Sequence, residues 1–121
     1  MSDPLTALFD SIQPLLQLEP GLSRTAKLLR GGTTKVAKKL AEEAVEVGLE
    51  AVQGNRSAVV LESADLLYNL CVLWTACGVT PREVFEEIER RERVFGIAEK
   101  LPKGGHAEAQ LRRMGVTQVK L

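Results

Sequence analysis

The chain has 121 residues, 45% of them apolar and 26% charged, which suits one globular domain. Sixteen basic residues balance sixteen acidic ones, so no net charge draws the chain to nucleic acid or to an anionic membrane. By run length no apolar stretch approaches the ~20 residues of a membrane span, and no signal-like segment opens the chain, so a secreted, membrane-inserted or disulfide-scaffolded protein is not expected.

Helix signals recur along the chain, whereas strand-like alternation is missing. Asp3-Pro4 predicts the cap and first turn of a helix reaching about Leu18, ended by Pro20-Gly21. Residues 19–33 read as a connector with a short helical piece over Thr25–Leu29. A long helix is predicted from Thr33 or Thr34 to about Gln53, with Val36, Leu40, Ala44, Val47 and Ala51 on one face. Gly54-Asn55 stops it. The next helix runs from about Ser57 to Ala76 and is apolar around most of its circumference, so it is expected to be the buried central helix. Cys71 and Cys77 lie six residues apart in one apolar stretch, on different faces if it is helical, and read as reduced packing residues in a cytoplasmic protein.

Thr80-Pro81-Arg82-Glu83 joins a cap, a first-turn proline and a capping-box glutamate, predicting a helix from Pro81 to about Glu92. The tail reads as an arm with one short helix near Ala107–Met114. The expected fold is all-α: an antiparallel bundle over residues 1–100, with 101–121 as the arm. Two long helices and two shorter ones enclose little core in a chain this small, so a second copy is expected to complete it as a homo-oligomer.

The chemistry lies on the two long helices. Glu43, Glu46 and Glu50 form a stripe on the first, with Glu42 beside Glu46, and Glu62, Asp65 and Asn69 line up on the second. A solvated acidic face is the plain explanation for the first stripe. It explains the second less well, because that helix is otherwise so apolar. Facing each other, Glu43/Glu46 and Glu62/Asp65 would gather four carboxylates, a hard-oxygen set suited to Mg²⁺ or Mn²⁺. A di-iron site needs Glu-x-x-His pairs, and the single histidine, His106, stands in the tail with no assigned role.

Just upstream, Arg24, Lys27, Arg30, Lys35, Lys38 and Lys39 occupy a stretch free of acids. Such a run is either a solvated face or a phosphate-binding rim. Magnesium usually bridges carboxylates and substrate phosphates, so the rim reading implies a phosphorylated small molecule. Gly31-Gly32 before a helix start is a weak further sign of phosphate approach.

Glu42-Glu43-Ala44-Val45-Glu46, followed after fifteen residues by Glu62-Ser63-Ala64-Asp65, resembles the EExxE…ExxD signature of the MazG-like all-α nucleoside-triphosphate pyrophosphohydrolases. Ser23–Leu29, Gly31-Gly32, Lys35–Lys39 and Glu62–Tyr68 resemble the phosphoribosyl-ATP pyrophosphohydrolase branch, over about residues 5–100. The resemblance implies a helical homo-oligomer that splits phosphoribosyl-ATP into phosphoribosyl-AMP and pyrophosphate with Mg²⁺, the second step of histidine biosynthesis. By position, Glu43, Glu46, Glu62 and Asp65 would hold the metal. Glu42 would be a further ligand or the base, with Glu43 also counted among the catalytic carboxylates. Lys27, Lys35, Lys38, Lys39 and Asn69 would face the substrate.

Three features depart from that branch. Asn69 stands at a usual histidine, Ala41 at a usual glycine, and the tail after about Lys103 matches nothing in it. Asn69 cannot titrate near neutral pH. The alternatives are a related enzyme acting on another nucleotide, such as a house-cleaning dNTP pyrophosphohydrolase, and a non-catalytic helical interaction module.

Overall fold

The computed structural model describes residues 3–94 and 105–115, which hold helices and no strand. In chain order the helices are α1 Pro4–Ile12, α2 Arg24–Arg30, α3 Thr33–Val52, α4 Arg56–Cys77, α5 Pro81–Val94 and α6 His106–Arg113. The chain divides into two compact units, Met1–Pro81 and Arg82–Leu121. The expected boundary at 100/101 lies outside the described residues.

Local chemistry sets the helix ends in the first unit. The Asp3 carboxylate accepts from the Thr6 N–H at 2.8 Å, and the Ser23 hydroxyl accepts from Ala26 N–H at 3.2 Å, capping α1 and α2. Asn55, expected only as part of a stop, accepts from the Ala58 N–H and opens α4. Gly78 closes α4 in the left-handed conformation (φ 70°), where a side chain would be strained. The first helix is shorter than predicted. Pro14 has no N–H for the Asp10 carbonyl, so the α pattern ends at Ile12 and a 3-10 turn covers Gln13–Gln17.

α3 and α4 are joined by three residues and pack along each other as antiparallel neighbours, and α1 lies on α4. Phe9, Ile12, Val36, Cys71 and Val72 form the buried core. The Gln13 amide ties the end of α1 to the Thr75 hydroxyl of α4 at 2.9 Å. The hydroxyls of Thr25 and Tyr68 bond α2 to α4.

Three sequence expectations change here. The inward stripe of α3 is Val36, Leu40, Glu43, Val47 and Glu50, while Ala44 and Ala51 are exposed. Within this chain α4 is not buried: only Asn69, Cys71 and Val72 are, and Val60, Leu61 and Leu67 remain 59%, 68% and 44% exposed. Cys71 is a packing residue as expected, but Cys77 is exposed.

α4 also reaches the length and composition of a membrane span, with a mean hydropathy of 1.3 over 18 residues, which the count of apolar runs did not anticipate. Asp65 lies near its middle and α1 and α3 pack along it. A carboxylate there suits a helix packed against protein better than one in lipid, where an Asp at the centre costs about 3 kcal/mol.

In the second unit α5 carries its own ion pairs. Arg82 meets Glu86 at 3.0 Å, and Glu87 accepts from both Arg90 and Arg91 at 2.8–2.9 Å. The Arg90 and Arg91 hydrogen bonds hold the Glu87 carboxyl at a pKa of about 2, below its ordinary 4.5. A lowered pKa contributes stability above the unfolded value and loses it on acidification. Helix content of α5, followed by amide exchange or NMR, should therefore weaken between about pH 4.5 and 2 in the wild type. Glu87→Gln should flatten that step, and an unchanged step would dismiss the pairs as ornamental.

Candidate metal and phosphate site

The α3–α4 pairing turns Glu43 inward against α4. There Glu43, Glu62 and Asp65 each present a carboxylate oxygen, and the three oxygens lie within 4.8 Å of one another. Glu43 is the anchor, with a side chain 9% exposed. Its Oε1 lies 3.2 Å from Lys39 Nζ, one turn earlier on α3, whereas its buried Oε2 has no hydrogen-bond partner. A buried acceptor left unsatisfied costs about 1–3 kcal/mol, so such an atom calls for an occupant.

Glu46 joins the cluster through Glu62. A hydrogen bond between these carboxyls, then desolvation, then the charges of Glu46, Asp65 and Glu43 push the Glu62 pKa above its ordinary value. The donor set is all oxygen, it is short of positive charge and it keeps an orphaned buried atom. It fits a hard divalent cation, and Glu43, Glu62 and Asp65 are the residues that could hold it.

The other predicted residues are dispersed around this centre. Glu42 is exposed and lines an open groove of ≈ 440 Å³ with Lys38, Ala41, Val45 and Glu46. Glu50 lies two turns beyond Glu43 on α3. Lys27, Lys35 and Lys38 are exposed and form no ion pair among the described residues. Arg30 leaves that rim: its guanidinium reaches the Leu16 and Leu18 carbonyls at 3.4–3.5 Å and braces the 3-10 turn. Asn69 is buried and donates from Nδ2 to the Asp65 carbonyl at 2.8 Å, so that donor serves its own helix.

The residue missed as a cluster member was Lys39, whose contact with Glu43 was legible from i,i+4 spacing. The Thr25–Tyr68 bond had no such signal, because it spans 43 residues.

Residues 5–92 match the family model for phosphoribosyl-ATP pyrophosphohydrolase. The chain belongs to that family. It is 56% identical over 103 residues to "Phosphoribosyl-ATP pyrophosphatase 2" of Rhodopseudomonas palustris, an alignment covering 85% of this chain and 79% of the relative. The namesake of Bradyrhizobium diazoefficiens is also 56% identical over 103 residues, covering 85% and 77%. A phosphoribosyl-ATP pyrophosphatase of Gluconobacter oxydans is 48% identical over 96 residues, covering 79% and 72%. With the family comes the class of protein, a hydrolase, and every carboxylate of the structural cluster falls inside the matched region.

Proposed function

We propose that this chain hydrolyses the α–β phosphoanhydride of phosphoribosyl-ATP, giving phosphoribosyl-AMP and pyrophosphate in the cytoplasmic synthesis of histidine. Family membership supports the substrate, and the unpartnered Oε2 of buried Glu43, set between Glu62 and Asp65, is the observation that supports the chemistry. The cation would be Mg²⁺, or Mn²⁺, which the same oxygen donors suit, and Glu43, Glu62 and Asp65 with Glu46 beside them would hold it. A divalent cation at such a site neutralises charge on phosphate oxygens and makes water more acidic.

The chain supplies the remaining functions. Glu42, exposed on the groove beside Lys38, accepts the proton of the attacking water. Lys27, Lys35 and Lys38 meet the phosphates, and the exposure of all three lets them reach outward. Hydrolysis consumes one water and needs no covalent nucleophile. The exposed apolar residues of α3 and α4 are covered by a second copy of the chain, which makes the enzyme a homo-oligomer.

A second reading keeps the same carboxylates but exchanges the nucleotide for a dNTP. It is favoured by Asn69, which is buried and committed to the Asp65 carbonyl. Pyrophosphate release from phosphoribosyl-ATP and a dNTP panel, with Mg²⁺ and with EDTA, separates the two. Mg²⁺-dependent turnover of phosphoribosyl-ATP, lost in Glu62→Gln, is the expected result. Preference for a dNTP would install the second reading, and no release from any substrate would sink both.

A further inference from the structure

Lys39 has a position that phosphate binding does not explain. Its Nζ lies 3.2 Å from Glu43 Oε1, on the most buried carboxylate of the cluster, while its own side chain is 48% exposed. It is the only ammonium within ion-pair distance of the cluster carboxylates among the described residues. The Glu43 hydrogen bond and charge, with Glu42 and Glu46 behind them, raise the Lys39 pKa, so the side chain stays cationic. A monocation therefore rests where the carboxylates otherwise repel one another.

We propose that Lys39 is the resident counter-ion of the metal-free site and competes with the divalent cation for Glu43, so that loading the site requires the Lys39–Glu43 pair to open. The inference rests on the metal-site reading above. Two cations at one carboxylate repel each other, and the half-exposed lysine stem leaves the ammonium a route to solvent that buried Glu43 lacks. Lys39 thus acts through Glu43 as a positioning residue.

The test is a Mn²⁺ titration of the substrate-free, full-length protein, followed by electron paramagnetic resonance, for wild type, Lys39→Met and Lys38→Met. Lys39→Met should bind Mn²⁺ about tenfold more tightly, since it removes a positive charge at contact distance. Its metal-free form should melt below wild type, and Mn²⁺ should raise its Tm by more than it raises that of wild type. Lys38→Met removes the same charge one residue away and should shift the affinity much less.

Unchanged or weaker Mn²⁺ binding by Lys39→Met, or an equal gain in Lys38→Met, would overturn the counter-ion role and leave the metal site standing. Wild-type protein that binds no Mn²⁺ would overturn the metal site and this inference together. Circular dichroism of each variant guards against a folding defect, and Lys39→Gln repeats the test with a side chain that keeps a hydrogen-bond donor.

Discussion

Exchanging Glu43 for glutamine should lower the proposed Mg²⁺-dependent turnover by roughly 10³-fold, the rate equivalent of losing several kcal/mol of cationic stabilisation. The same exchange should raise the stability of the metal-free protein by about 1 kcal/mol. The two effects have one origin. Glu43 is buried, with one oxygen on Lys39 and the other unpartnered. Glutamine removes the unsatisfied anionic oxygen, worth about 1–3 kcal/mol, and its amide can donate to Glu62 or Asp65. Against this stands the lost ion pair with a half-exposed lysine, worth at most about 1 kcal/mol. Thermal unfolding in EDTA measures the stability and a pyrophosphate assay in Mg²⁺ measures the rate. A variant that unfolds earlier and keeps its activity would show Glu43 to be a structural ion-pair partner and nothing more.

That balance was partly legible in the sequence. The helices were, because caps and breakers act locally: Asp3-Pro4, Gly54-Asn55 and Thr80-Pro81 all stand at helix boundaries. Pro14 was the exception, since the apolar spacing continued past it while the hydrogen bonding did not. The facing of Glu43 toward Glu62 and Asp65 followed from two short-looped helices and a recognisable spacing. The rotation of α3 did not follow. Counting apolar residues chose Ala44 and Ala51 as inward, yet alanines add little burial, and the pairing with α4 turned Glu43 and Glu50 inward in their place. Lys39 was assigned to the phosphates because the basic and acidic runs were read as separate regions, although its i,i+4 relation to Glu43 crosses the boundary between them.

The open faces of the long helices lead to the second large effect. The double variant Val60→Glu/Leu67→Glu should convert the proposed homo-oligomer into a particle of 13.2 kDa by light scattering. Val60 and Leu67 lie two turns apart on one side of α4 and are 59% and 44% exposed, so within one chain the change is close to neutral, about 0.5 kcal/mol per site. Across an interface the balance reverses. Two carboxylates would be carried into an apolar contact without partners, costing several kcal/mol and raising the dissociation constant by at least roughly 10³-fold. On α3, Val45, Leu49 and Val52 are 60%, 55% and 86% exposed, which gives a second copy a face of the same character. Wild-type protein that already scatters as a single chain would refute the pairing, and the exposed apolar residues would then need another cover. A monomeric double variant that keeps its Mn²⁺ affinity would place the proposed metal site within one chain, where Glu43, Glu62 and Asp65 lie together.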